Sequence, residues 1–460
     1  MDNIHRSCGR VLVVLLYCFA SLSPSFALAD EALSSSGRLD LQAVDALNRD
    51  STREDPSLTG RLKIDTPGSV WRVHSWLEGG WDGSVRRPAR DNALFKTFDK
   101  VYQDNTPYIE IKELYLSHAS NDLDLRAGIQ RFAWGRLDEY PSNDLLNPWD
   151  YSQFLRKSLE DRKIGVPSLS ASLNKSAWAY DAVWVPWLVP YRLAMPDERW
   201  SGISGTSSLS QIPNAEIMPA EPDLPPRTLK NSNAAFRAKH SGDIEWALNV
   251  YHGFDPKPVV RTTSLVIVPL PGKTLIDPGY VPDFRRITSI GLDSAAVTGD
   301  WSIRAEVAYI KNRYFNTRVE LWGYPALPMS QQLNPNEVQS DAIDYGIGAD
   351  YRLFEDGLLT IQAQQTVILD RPDTLYERNV ETLLWASLKA GWMNQKIETT
   401  VTFAWNPEHG DTMAKASAWY LFTDSWKAGI AALSFTGPSP SLFGKYAKND
   451  QVEMDLMYSW

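Results

Sequence analysis

Apolar and polar side chains begin to alternate near Ser69, and the alternation recurs in paired stretches to the end of the chain. Leu123, Leu125, Ala127 and Ile129 share one face of an extended strand, with Asp124, Arg126, Gly128 and Gln130 on the other. Trp301, Ile303, Ala305, Val307 and Tyr309 oppose Arg304 and Glu306. Ile397, Thr399, Val401, Phe403 and Trp405 oppose Lys396, Glu398, Thr400 and Thr402. In the last ten residues Val452, Met454, Leu456, Tyr458 and Trp460 oppose Glu453, Asp455 and Ser459, with Met457 the apolar exception. A period of two places successive side chains on opposite faces of a strand. Strands this greasy on one side need an apolar solvent outside and a polar space inside, which a closed transmembrane barrel supplies.

The connections alternate in length. Tight turns rich in Gly, Asn and Asp fall near residues 121, 175, 242, 299, 355, 393 and 424. Long segments lie near 82–106, 135–160, 186–230, 254–284, 312–341, 369–379, 406–412 and 437–450. Seven turns and eight loops join sixteen strands, which predicts an all-β, antiparallel transmembrane barrel of about 16 strands (14–18). The short turns would face the periplasm and the long loops the cell exterior. The 18 tryptophans and 19 tyrosines gather near strand ends, as an interfacial girdle requires. Trp301, Trp405, Trp426, Tyr458 and Trp460 are expected there. A soluble sheet sandwich would have to explain strand pairs running over most of the chain with no domain linker.

Residues 1–29 read as a secretory signal, with basic Arg6 and Arg10, an apolar run from Val11 to Ala20 and small residues at Ala27 and Ala29. Both cysteines, Cys8 and Cys18, lie within it, so thiol catalysis, thiolate metal sites and disulfides are not expected in the mature protein. Residues 30–60 are polar and read as a periplasmic segment, with Leu39, Leu41, Val44 and Leu47 spaced for one short amphipathic helix. The barrel would then occupy 61–460, with loops 135–160 and 186–230 folding inward. The second of these carries eight prolines, which stiffen a loop and block sheet pairing. No apolar run after the signal reaches the ~18 residues of a helical span. The net charge of −10 argues against a nucleic-acid surface.

The segment from Gln130 to Tyr151 is dense in mixed charges and aromatics. Arg131, Arg136, Asp138, Asp144 and Asp150 are too many charges for a dry core unless paired. Together with Arg126, Arg304 and Glu306 they are the candidate pore or constriction residues. The other outcome for this segment is a structural loop bracing the barrel wall. Five histidines outside the signal, His74, His118, His240, His252 and His409, are too scattered to select a metal site, and no spacing selects a catalytic triad. No enzyme activity, cofactor or metal is expected.

The run Ala127-Gly-Ile-Gln-Arg-Phe-Ala-Trp-Gly-Arg-Leu-Asp138, continued by Asp144-Leu-Leu-Asn-Pro-Trp-Asp-Tyr151, resembles a large family of uncharacterised Gram-negative outer-membrane β-barrel proteins. The block Asp300 to Tyr309 is similar to a second part of that family's pattern, and a more distant resemblance is to the alginate-export porin. Ile129 stands where the family often has lysine, and Trp460 where barrels generally prefer phenylalanine. The resemblance implies an outer-membrane channel. The expected function is porin-like passive diffusion or uptake of small organic solutes. An outer-membrane lipid or peptide hydrolase, or a plugged structural or adhesive barrel, are the alternatives. Expected partners are outer-membrane lipid, the general barrel assembly machinery through the C-terminal strand, and an unspecified small solute. A monomer is expected, since no oligomer face is identifiable.

Overall fold

The computed structural model describes residues 34–47, 56–66, 68, 70–83, 98–102, 107–194, 198–200, 215–217, 221–262, 266–277, 280–316, 337–373, 375, 377–438 and 441–460. The signal segment 1–29 lies outside them, as does part of the proline-rich loop. Eighteen antiparallel strands close into one barrel. They are β1 (Ser34–Ala46), β2 (Ser57–Asp65), β3 (Trp71–Asp82), β4 (Pro107–Ser120), β5 (Leu123–Gln130) and β6 (Val166–Lys175). Next come β7 (Trp178–Val185), β8 (Asn233–His240), β9 (Ile244–Phe254), β10 (Arg286–Thr298), β11 (Trp301–Asn316) and β12 (Glu337–Phe354). The ring ends with β13 (Gly357–Ile368), β14 (Val380–Trp392), β15 (Ile397–Asn406), β16 (Asp411–Leu421), β17 (Trp426–Thr436) and β18 (Gln451–Ser459). Each strand pairs with its sequence neighbour, and β18 returns to β1, with Ser459 opposite Arg38 and Gln451 opposite Ala46. A closed ring leaves no unpaired sheet edge in lipid.

The strand count exceeds the expected sixteen by the first hairpin. Residues read as a polar periplasmic segment with a helix form β1, and β2 follows it. The reason is physical. β1 turns Arg38, Asp40 and Gln42 inward, where Arg38 donates to Asp40 and Gln42 to Asp455 on β18, both at 2.7 Å, and turns Leu39, Leu41 and Ala43 outward. Two leucines in so polar a stretch give a weak period of two, and with Val44 and Leu47 they also fit a helical spacing. The other tight turns stand where the alternation puts them, but segment 406–412, expected as a long connection, is a tight turn of residues 407–410.

Leu116, Leu125, Leu169, Leu248, Leu292, Ile303, Ile347, Val401, Ile430 and Leu456 all stand exposed on the outer wall. A ring of large aliphatic side chains this extensive is unfavourable in water and is satisfied by hydrocarbon. The barrel is therefore an outer-membrane protein. Aromatic pairs sit at the short-turn ends: Trp301 on Tyr351 with ring centroids 4.4 Å apart, and Trp426 on Tyr458 at 4.8 Å. Tyr458 stacks on Trp460 at 5.7 Å. Trp405 is exposed at the opposite, long-loop end of β15.

The packed core lies inside the ring, toward the long-loop end. Trp134, Leu146, Ile164 and Val189 from the loops pack against Val166, Val183, Tyr251, Ile287, Ala308 and Ile310 of the inner wall. Phe154, Leu155, Trp200, Phe443 and Tyr446 do the same against Ala404, Met413, Leu433 and Phe435. Toward the short turns the inner wall is polar instead.

Candidate functional site

The loop 131–165 between β5 and β6 is built to leave the rim and enter the bore. Asn147, fully buried, ties its neck. Its Oδ1 accepts the Phe132 N–H at 2.6 Å, and its Nδ2 donates to the carbonyls of Ile164 at 2.7 Å and Gln130 at 3.2 Å. Lys163 donates to the Phe132 carbonyl at 2.7 Å and pairs with Asp144. Tyr140 and Phe154 adopt left-handed backbone angles, φ 52° and 47°, which bulky residues rarely take unless their surroundings hold them. Gln364 on β13 donates to the Tyr140 carbonyl, and the Phe154 ring stacks on Tyr446 at 4.2 Å.

One wall receives segment 136–143. The Glu306 carboxylate on β11 accepts backbone N–H groups from Leu137 at 2.7 Å, Arg136 at 3.0 Å and Asn143 at 3.1 Å. Arg136 reaches Asp293 on β10 and Glu245 on β9, both at 2.8 Å. Arg304 donates to Asp138 at 3.1 Å, to Asp350 at 2.8 Å and to the Arg136 carbonyl at 3.0 Å. Gln362 accepts the Asp138 N–H and donates to the Glu139 carbonyl, both at 2.9 Å. The other end of the loop is tied to the far wall. Arg156 pairs with Glu453 on β18 at 2.9 Å, Lys415 on β16 donates to the Arg156 carbonyl at 3.0 Å, and Gln153 donates to Asp82 on β3 at 2.9 Å. The loop thus crosses the lumen, joined to both sides.

Three inward-facing glycines make the docking surface. A Cβ at Gly291 would stand 1.7 Å from Asn143 Oδ1 and 2.9 Å from the Val307 carbonyl oxygen. At Gly346 and Gly348 it would meet the Leu137 methyls at 2.6 and 3.0 Å. Gly291→Val is therefore expected to lift segment 136–143 off the wall, read as a larger single-channel conductance from a barrel that still folds. Wild-type conductance from that variant would show that the segment does not depend on this contact.

A second assembly lies where three long loops meet. Arg192 pairs with Asp99 at 2.8 Å, Asp150 at 2.9 Å and Glu110 at 3.3 Å. Lys112 pairs with Glu110 at 2.9 Å, and Lys157 stands 3.6 Å from Asp150. Arg192, Asp99, Glu110, Lys112 and Asp150 are at most 2% exposed. Charges so deep persist only when matched. Burial alone would push the Asp150 carboxyl up, but Lys157 and Arg192 hold it well below the usual range. Asp144 goes the other way, raised by burial despite Lys163.

Of the sequence candidates, Arg136, Asp138, Arg304 and Glu306 converge on one dock. Asp150 belongs to the Arg192 assembly, and Asp144 to the loop's own neck. Arg131 packs over the Trp76 ring at 4.0 Å and pairs with Glu113 at 2.8 Å. Arg126 pairs with Asp124, nearer the short turns. Sequence reasoning missed Asp99, Glu110, Lys112 and Arg192. The pair Glu110 and Lys112 is visible as a charged inward face, but nothing local points to the loop arginine that completes it. It also missed the glycines, which alternate with outward aliphatics and read as ordinary strand positions. Among the described residues, no three or more His, Cys, Asp or Glu side chains are grouped to hold a metal ion.

No family model matches the chain, and no curated protein matches it. Solved structures do. OccK8 (OprE) of Pseudomonas aeruginosa is 11% identical with a TM-score of 0.49, covering 93% of this chain and 97% of that one. OccAB1 of Acinetobacter baumannii is 8% identical with a TM-score of 0.49, covering 93% and 96%. A loop-deletion form of OmpT, an outer membrane protein of Vibrio cholerae, is 8% identical with a TM-score of 0.41, covering 93% and 99%. The resemblance to the uncharacterised outer-membrane family and to the alginate-export porin is thereby corrected: the structures this barrel matches are of the Occ and OmpT proteins.

Proposed function

We propose that this porin-like barrel passes small polar organic solutes by passive diffusion, and that segment 136–143 sets its narrowest point. The reading rests on one observation: a loop drawn from the outer rim is pinned across the lumen by hydrogen bonds and ion pairs to both walls. Within it Asp138 keeps 46% of its side chain exposed while paired with the Arg304 guanidinium. Opposed carboxylate and guanidinium groups along a bore favour solutes that exchange water for wall hydrogen bonds, and they disfavour apolar ones. Glu160 of the same loop stands 3.8 Å from Lys63 on β2 and extends the mixed charge. The C-terminal strand β18 is the segment through which the assembly machinery would engage the chain, since it forms one side of the closing seam.

Purified protein in planar bilayers is expected to give discrete conductance steps, and proteoliposomes are expected to admit small polar organic solutes faster than apolar ones of equal size. A silent barrel across voltages, impermeable to every solute tried, would establish a plug instead.

A further inference from the structure

At the level of segment 136–143 the charges inside the barrel are paired but not equally presented to water. Asp138 keeps 46% of its side chain exposed against 15% for Arg304. Glu245 keeps 37% against 17% for Arg136. At the root of the same loop Glu160 keeps 64% against 10% for Arg131. In each pair the carboxylate stands forward and the guanidinium is recessed.

The cause is hydrogen-bonding capacity. Arg304 spends Nη1 on the Arg136 carbonyl and Asp138, and Nη2 on Asp138 and Asp350. Arg136 spends Nε on Asp293 and Nη1 on Glu245. The nitrogens that remain, Arg304 Nε and Arg136 Nη2, are sealed from solvent. A carboxylate has about four lone-pair sites, so it can satisfy an arginine and still accept from something in the bore. Glu245 takes Arg136 and Lys239 both on Oε2, and Asp350 takes Arg304 and Thr360 both on Oδ1, which leaves the second oxygen of each free. Asp181 on β7, in register with Arg237 on β8, accepts the Ser172 hydroxyl and makes no ion pair among the described residues. Lys239 is presented as fully as Glu245 and offsets that one carboxylate. Near the short turns Arg126 is more exposed than Asp124, so the forward carboxylates belong to the level of the loop.

We infer that the constriction selects for cations, and that the favoured solutes are small organic cations carrying an ammonium or guanidinium group. The inference rests on segment 136–143 being the narrowest point of a conducting channel. A passing cation meets free carboxylate oxygens, while a passing anion finds the arginine donors already engaged.

The test places the folded protein in a planar bilayer under a KCl gradient, where the reversal potential gives the permeability ratio of K⁺ to Cl⁻. K⁺ is expected to be favoured about fivefold, the scale of one unit charge met at about 4 Å through water. Exchanging K⁺ for ethylammonium and Cl⁻ for acetate should preserve that order. The double variant Asp138→Asn with Glu245→Gln keeps both side-chain shapes and should bring the ratio close to one in a channel that still conducts. A conducting wild-type channel with a ratio of one or less would overturn the inference and leave passive conduction standing. So would a ratio unchanged in the double variant. A silent barrel would overturn the inference and the channel reading together.

Discussion

Replacing Glu306 with alanine is expected to increase single-channel conductance severalfold and to lower the barrel's melting temperature. The carboxylate accepts three backbone N–H groups of segment 136–143 and faces the Asn143 side-chain amide at 3.3 Å. Each buried donor left without an acceptor costs about 1–3 kcal/mol. Three of them together exceed what Leu137 gains by packing against Gly346 and Gly348, since a buried leucine contributes about 1.5–3 kcal/mol. The segment would loosen at Arg136, Leu137 and Asn143 and let water reach those amides, while Arg304 and Gln362 still hold Asp138. Glu306→Gln keeps one acceptor oxygen and should fall between the two. Conductance and melting both unchanged in Glu306→Ala would mean that the constriction lies elsewhere.

The second large effect concerns Arg192. Arg192→Met removes the cation that joins Asp99, Glu110 and Asp150. Breaking a buried ion pair by deleting one partner costs about 3–5 kcal/mol. The loss should appear as loop opening, because Arg192, Asp99 and Asp150 lie outside the barrel's strand ladder, which carries only Glu110 and Lys112 of this cluster. At about 1.4 kcal/mol per tenfold, opening should become on the order of a hundredfold or more frequent. Limited proteolysis of the folded protein measures it: cleavage within 83–106, 131–165 and 186–232 should accelerate together, while the barrel stays resistant. Acceleration in only one loop would show that the three are not held as a unit.

The wall of this protein is legible because strand alternation is local. A reader needs only neighbours two residues apart to see that Leu123, Leu125 and Ala127 face one way, and the short turns after β3, Ser176–Ala177 excepted, declare themselves through Gly, Asn or Asp. The first hairpin escapes because β1 spends its inward positions on Arg38, Asp40 and Gln42 and has little apolar contrast to set against them. The dock is half legible. A cluster such as Arg136 and Asp138 announces that charge must be matched, and Arg304 and Glu306 announce an inward polar face. Their meeting joins positions some 160–170 residues apart in sequence, which no periodicity encodes. Gly291 and Gly346 are harder still, since what matters there is a missing side chain beneath another segment.

At residues 307–310 of β11 the wall is apolar on both sides. Val307 and Tyr309 of β11 face lipid while Ala308 and Ile310 face the packed interior. Nearer the short turns the same strand carries Arg304 and Glu306 inward. This stretch of β11 is thus greasier than the base of the strand, whichever surface meets the bilayer. That contrast gives the strand a resting depth: the doubly apolar stretch settles in hydrocarbon, and the charged base stays at the side from which the chain arrived.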